Sequence, residues 1–439
     1  MGAIRAAESG LKTLMIEKRA LGGVCLNEGC IPSKTILNSA KIYDYARFSK
    51  PYGVTTKEAY LDHKAVVRRK KKVVRTLVAG IRTQLRQAGA KTIDGKAFIE
   101  GKSENGFIVS VENDQYTGKH LLIATGSEAS IPPIDGVNEG LEKGNILTSR
   151  EIFDIEEIPE SFVVIGGGAV GLEMASYFNS AGSNVTVIEM LDHIAPGVDA
   201  EISDILRKSY EDKGIKFVLS ATVTGIDDDK VLYEQNGERY EIDAAKVLLS
   251  VGRRPNIQDI GLENIGVDTD GGAILVDDEG RTNVANVYAA GDVNGKSMLA
   301  HTAYREAEVI INNILGKEDK VRYETIASVI YTSPEVATIG ETEESCKEKG
   351  IAYDMVELPM QYSGRYVAEN ERGTGMCKLL ANKEDKRLIG VHMIGSYTSE
   401  IIYGVAAMME SEMDIDSIKK IVFPHPTVSE VIREGIFQF

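Results

Sequence analysis

The stretch from Ser161 to Glu189, "SFVVIGGGAVGLEMASYFNSAGSNVTVIE", constrains the fold of this chain more than any other. It reads as an apolar strand, then Gly166-x-Gly168-x-x-Gly171, an amphipathic helix, Gly182, and a second strand closing on Glu189. A lone glycine triplet is weak evidence, but a strand before it, a helix after it and an acid ending the next strand predict a βαβ unit that binds a dinucleotide. The glycines let the backbone turn tightly and approach a pyrophosphate, whose charge meets the amides at the helix start. A plain strand-to-helix turn would not need the terminal acid. Glu189 can accept hydrogen bonds from both ribose hydroxyls and would repel a 2′-phosphate, so NAD is expected rather than NADP.

The pattern occurs twice. "SGLKTLMIEK" (Ser9 to Lys18) matches "AGSNVTVIEM" (Ala181 to Met190), each passing from a helix end through Gly into an apolar strand that finishes on Glu, here Glu17. Two nucleotide-binding units of one type are therefore expected. At the same offset, the three glycines matching the second unit fall upstream of Met1, so the first strand and phosphate loop of the first unit are expected to be missing. "HLLIATGS", with Gly126, and "KVLLSVGRRPN" read as buried strands ending in a glycine turn where each unit closes. "NVYAAGDV" is another such strand, and its Asp292 lies where a strand end presents a side chain to a ligand. From about Val321 alternating strands and two helical stretches predict an α+β domain. The fold class is thus α/β, with two Rossmann-like domains and a C-terminal α+β domain. The expected boundaries are 1–150 completed by 281–320, then 151–280, then 321–439.

A net charge of -16 argues against non-specific nucleic-acid binding. The one basic run, Arg68 to Lys72, has no interleaved aromatics and reads as a solvated helix face. No run approaches the roughly 18 apolar residues of a membrane span, and the start lacks the pattern of a signal peptide, so a cytoplasmic protein is expected. Met1-Gly2 is followed by Ala6 where a myristoylation motif needs Ser or Thr.

Two of the 4 cysteines, Cys25 and Cys30, lie in "GGVCLNEGCIPSKT", just before a segment that reads as a helix. A thiolate near a helix N-terminus is stabilised by the dipole, and Lys34 adds positive charge one turn on. A zinc site would need two more closely spaced ligands, whereas Cys346 and Cys377 stand alone, and no metal site is expected. A structural disulfide is disfavoured in a reducing compartment. A redox-active disulfide and two inert core thiols remain, and the glycine-rich flanks and adjacent nucleotide signatures favour the first. Near the C-terminus "FPHPTVSEVI" fixes His425 between two prolines. Glu430 is placed to orient the imidazole through Nδ1, which describes a general base as well as it describes a surface histidine.

The pieces "GGVCLNEGCIPSK", "GGGAVGLEMA", "VGRRPN", "AAGDV", "LAHTAYREAE", "SPEVATIGETE" and "HPTVSE", in this order, resemble the flavin-dependent disulfide reductases, and within them the dihydrolipoamide-oxidising branch. The resemblance implies FAD and NAD as cofactors, with Glu17 on the adenosine ribose, Asp292 on the ribityl chain, and Gly126 and Ala300 also at the flavin nucleotide. Lys34 would lie near the flavin ring, paired with Glu173. Gly166, Gly168, Gly171 and Glu189 would hold NAD. Cys25 would exchange with substrate and Cys30 lie against the flavin. His425 and Glu430 would come from the other subunit of a homodimer, making 1–150 the FAD-binding domain, 151–280 the NAD-binding domain and 321–439 the interface domain. Lipoyl domains of 2-oxo acid dehydrogenase or glycine cleavage complexes would be partners. Mercuric reductases carry a C-terminal cysteine pair and soluble transhydrogenases lack the redox cysteines, unlike this chain, while glutathione and trypanothione reductases prefer NADP. The missing phosphate loop leads to the expectation of weak FAD binding. The competing reading is a flavin-deficient remnant with a structural or docking role.

Overall fold

The computed structural model describes residues 1–371 and 373–439. Contacts divide the chain into two compact units, one of Met1–Pro32, Arg68–Ser130 and Arg253–Tyr323, the other of Ser33–Val67, Ile131–Gly252 and Glu324–Phe439. Two long helices, Cys30–Arg47 and His63–Ala88, carry the chain between the units. In the second helix Arg68, Arg69, Lys71 and Lys72 are exposed as expected of a solvated face. Lys70 departs from that reading at 4% exposure, because its position turns to the buried side.

The second unit contains a five-stranded parallel sheet in the order Lys216–Val218, Asn184–Ile188, Ser161–Ile165, Lys246–Leu249, Ile146–Leu147. Its central strand is a continuous apolar run because both faces of a parallel sheet are covered. Phe162, Val163 and Val164 are completely or almost completely buried. The helix Ala169–Ala181 buries Leu172, Met174, Ala175, Tyr177 and Phe178, and the Phe162 and Phe178 rings lie 4.4 Å apart. Phe178→Ala would cost ~3–5 kcal/mol. A five-stranded antiparallel sheet follows in the order Ser328–Ile330, Glu335–Gly340, Leu388–Gly395, Met376–Asn382, Tyr353–Pro359, as the alternating pattern beyond Val321 predicts. Ile330, Val336, Met376 and Ile394 from this sheet share one core with Phe162 and Val164 from the parallel sheet and Leu172 from the helix Ala169–Ala181. Lys378, buried on a strand of the antiparallel sheet, holds Asp199 at 3.1 Å and Glu343 at 3.0 Å, and Asp199 also caps the helix Ala200–Glu211.

In the first unit, Leu14–Glu17 pairs in parallel with Lys91–Asp94, and Leu121–Ile123 with Val287–Ala289. Among the described residues no strand joins these two pairs, whereas the corresponding sheet of the second unit is continuous. A three-stranded antiparallel sheet, Ala97–Ser103, Gly106–Val111 and Asp114–Gly118, packs Ile99 and Phe107 onto Ile123, Val287 and Ala289. Among the described residues no helix is long and apolar enough to cross a membrane.

Candidate active site

Cys25 and Cys30 are joined by a disulfide. Cys25 lies in the short helix Gly23–Glu28, and Cys30 is the first residue of Cys30–Arg47, with Gly29 between them. The turn requires its glycines. Gly22 has φ 103°, and a Cβ there would meet Leu26 at 2.9 Å. The Asn27 amide donates to the carbonyls of Leu21, at 3.1 Å, and Gly23, at 2.9 Å. Arg19 reaches Glu28 of the same turn at 3.1 Å.

One turn beyond Cys30, Lys34 meets Glu173, whose carboxylate is 5% exposed. That carboxylate accepts from Lys34 Nζ at 2.9 and 3.0 Å, from Ser33 Oγ at 2.5 Å and from the Tyr331 N–H at 3.1 Å. The Lys34 ammonium also sits 4.2 Å over the Tyr331 ring. Burial raises the Tyr331 hydroxyl pKa, with the Glu173 charge adding to it.

The glycine turn between Ser161–Ile165 and Ala169–Ala181 has the expected sterics. Gly166 has φ 104°, and a Cβ there would lie 2.4 Å from the Ser250 carbonyl; a Cβ on Gly171 would lie 2.3 Å from that of Gly166. At Gly168, which caps the helix Ala169–Ala181, a Cβ would enter open space. This is the cradle a pyrophosphate would fill at the helix start. Glu189 accepts the N–H of Gly167 at 2.6 Å and of Leu191 at 2.8 Å, one on each oxygen. A carboxylate has about four lone-pair sites, so each oxygen keeps one for a ribose hydroxyl. The residues fit NAD.

In the first unit Glu17 ends its strand and accepts the Arg19 N–H at 2.9 Å. Asp292 follows Gly291, whose φ is 78° and whose N–H bonds Glu306 at 2.5 Å. Asp292 accepts from the Ser127 hydroxyl, and Ser127 Oγ accepts from Arg253 Nε at 2.7 Å. This orders the polarity from guanidinium to hydroxyl to carboxylate and leaves the other Asp292 oxygen as a fixed acceptor, which suits a polyol. The Gly126 carbonyl accepts the Asn256 N–H, and Ala300 opens the helix Ala300–Ile314. The sequence reading passed over Ser127, Arg253 and Glu306, although each lies inside a quoted motif.

His425 Nδ1 lies 2.9 Å from Glu430 Oε1, and the other Glu430 oxygen accepts the Thr427 N–H at 3.0 Å. The hydrogen bond from His425, followed by that from Thr427, lowers the Glu430 pKa. The His425 side chain is 79% exposed while that of Glu430 is 19%. Facing the Glu430 carboxylate, Nδ1 is the nitrogen placed to donate, and Nε2 is the one left facing away from Glu430. Cys346 and Cys377 are buried free thiols, and burial pushes Cys377 up to about 12.

The sequence profile of the pyridine nucleotide-disulphide oxidoreductases matches residues 2–307, and that of their dimerisation domain matches 326–436. The chain is 35% identical to a dihydrolipoyl dehydrogenase of Mycoplasma genitalium over 99% of this chain and 95% of that protein. It is 38% identical to the mitochondrial dihydrolipoyl dehydrogenase of Pisum sativum, over 99% and 88%. Among solved structures, LpdA from Mycobacterium tuberculosis has the same fold, with a TM-score of 0.89 at 24% identity over 100% of this chain and 96% of that one.

Proposed function

Because the chain belongs to the pyridine nucleotide-disulphide oxidoreductase family, as an FAD- and NAD-dependent oxidoreductase of the dihydrolipoyl dehydrogenase type, we propose that Cys25 and Cys30 oxidise a dihydrolipoyl dithiol with His425 as the base. The Cys25–Cys30 disulfide is the observation that carries this reading.

His425 Nε2 takes the proton of one substrate thiol while Glu430 stabilises the imidazolium through Nδ1. The substrate thiolate attacks Cys25 Sγ, the Cys25–Cys30 bond breaks, and Cys30 leaves as thiolate. The second substrate thiol attacks the mixed disulfide, closes the dithiolane ring and releases Cys25. Two electrons and two protons have then moved to the protein, and the lipoyl group is oxidised. FAD, when bound, supplies the link between dithiol exchange and hydride acceptance by NAD⁺. Glu17 and Asp292 would hold its ribose and ribityl hydroxyls, with Gly126 and Ala300 beside them. Gly166, Gly168, Gly171 and Glu189 would hold NAD, and Lys34, neutralised by Glu173, would sit beside the flavin ring.

The dimerisation-domain match supports a homodimer, and the exposed imidazole suits a base offered to the neighbouring subunit's disulfide, so that one site needs two chains. On this reading 1–150 with 281–320 binds FAD, 151–280 binds NAD and 321–439 forms the interface. The partners would be lipoyl domains of 2-oxo acid dehydrogenase or glycine cleavage complexes, in the cytoplasm. The test is NADH formation from dihydrolipoamide and NAD⁺ by the purified chain and by Cys25→Ser and His425→Gln. Loss of activity in Cys25→Ser and a fall of ~10²–10⁴ in His425→Gln is expected. Turnover by Cys25→Ser at the unsubstituted rate would overturn the assignment.

A further inference from the structure

We infer that Asn27 is a positioning residue that sets the equilibrium between the Cys25–Cys30 disulfide and its dithiol. The inference rests on the redox reading of that pair.

Leu21 is buried at 6% exposure and packs with Ile4, Leu85 and Ala90. Its carbonyl is therefore a fixed point. Asn27, between the two cysteines, donates to that carbonyl at 3.1 Å and to Gly23, the first residue of the Cys25 helix, at 2.9 Å. One side chain thus fastens the turn carrying Cys25 to an anchored segment. The absence of a side chain at Gly29 lets the chain pass close on the other side, since a Cβ there would sit 3.3 Å from Cys25 Cα and from the Val24 carbonyl oxygen.

A helix of 6 residues does not hold itself together in water. Once Cys25–Cys30 is reduced, the turn stays formed only through contacts such as these. Closing the disulfide is an intramolecular step whose equilibrium follows the effective concentration of one sulfur at the other, and a turn already ordered in the dithiol raises that concentration. The staple acts on the dithiol, because the covalent bond already holds the oxidised turn. Without it the dithiol gains freedom and the disulfide becomes easier to reduce. Asn27→Asp should act more strongly than Asn27→Ala, because a carboxylate meets the two carbonyls as acceptor against acceptor.

The experiment equilibrates the purified chain with mixtures of reduced and oxidised dithiothreitol. Protein disulfide plus dithiothreitol gives protein dithiol plus the cyclic disulfide, with two electrons and two protons exchanged. The oxidised fraction is read by alkylation and mass spectrometry of the Cys25–Cys30 peptide, which needs no turnover. Asn27→Ala is expected to favour the dithiol about tenfold, or about 30 mV for a two-electron couple. Asn27→Asp should exceed that. Thermal unfolding of the same variants in the oxidised state should change little, because a general structural defect would lower that midpoint whatever the redox equilibrium does. A shift under twofold in both variants, or a shift matched by loss of oxidised-state stability, would overturn the role of Asn27. If the unsubstituted pair does not interconvert with dithiothreitol in both directions, the redox reading itself fails.

Discussion

Glu173 offers the sharpest test of how the site is held. Its carboxylate, 5% exposed, accepts from Ser33, Lys34 and the Tyr331 N–H, so replacing it leaves a hydroxyl, an ammonium and an amide without their acceptor. Glu173→Gln keeps one oxygen. That oxygen can serve the Tyr331 N–H and one lysine contact, while Ser33 can rotate to accept from the new amide. The ionic part of the Lys34 contact is lost, and since that side chain is 32% exposed, solvent offsets some of the loss. Hydrogen bonds to a charged group contribute ~1.5–3 kcal/mol each, so Gln should cost about 2 kcal/mol. Glu173→Ala removes every acceptor and opens space beside Ser33 and Tyr331, and breaking a buried pair costs ~3–5 kcal/mol. The chain has no tryptophan, so urea unfolding would be followed by far-ultraviolet circular dichroism. The reasoning is refuted if both variants unfold within about 0.5 kcal/mol of the unsubstituted chain, a spread ordinary for surface substitutions, or if Ala is no worse than Gln.

His425→Gln should return the Glu430 carboxyl toward its ordinary pKa, since the hydrogen bond from His425 is the largest cause of its lowering; carbon-13 NMR of the carboxyl reports this directly. His63 bonds Tyr177 through Nδ1 at 2.7 Å and the Ile155 carbonyl through Nε2 at 3.0 Å, and burial lowers its pKa from 6.5. The fold thus favours neutral His63, so its contribution is complete above pH 6.5 and is lost as pH falls toward the lowered value. Urea midpoints measured from about pH 7.5 down to about 5 should fall more steeply in the unsubstituted chain than in His63→Gln. Gly168→Ala should raise the KM for NAD⁺ with little loss of stability, because its Cβ meets nothing in the protein. Gly171→Ala should destabilise the fold itself, because its Cβ meets the Gly166 carbonyl at 2.3 Å; thermal melts and NAD⁺ kinetics separate the two.

The strand-turn-helix-strand from Ser161 to Glu189 was legible because each of its requirements is local. Gly166, Gly171 and Glu189 lie within one strand-turn-helix-strand, and spacing alone encodes what each must do. Partners distant in sequence were legible only through the resemblance, as Lys34 and Glu173, 139 residues apart, were. Ser127 lies 165 residues from Asp292, and the Tyr331 amide 158 from Glu173, so the residues were visible inside their motifs while their pairing waited on the fold. The division of the chain followed the same rule. A change of texture near Val321 marks a new sheet, yet Ile330, Val336, Met376 and Ile394 join the core of the parallel sheet, and by contacts the two sheets form one unit. Lys70 shows the limit within a single helix, where a run of like charges hides one residue on the buried side.

Glu189 shows how a local reading can leave out a structural role of the residue it names. From sequence it is expected to be a ribose acceptor that repels a 2′-phosphate. In the structure its oxygens already hold the N–H groups of Gly167 and Leu191, so the same carboxylate fastens the glycine turn to the end of the strand. Charge-assisted bonds of this kind contribute ~1.5–3 kcal/mol each. Glu189→Ala should therefore do two things at once: lift the repulsion of NADP⁺ and loosen the turn on which either nucleotide sits. The KM for NADP⁺ should fall relative to that for NAD⁺, while the KM for NAD⁺ rises about tenfold and thermal stability drops. Glu189→Gln keeps one acceptor and should lose less of both. Steady-state kinetics with the two nucleotides, alongside melts of each variant, would decide the matter. If the NAD⁺ constant and the melting temperature stay unchanged while the preference shifts, the carboxylate is a selector alone and the fastening role is wrong.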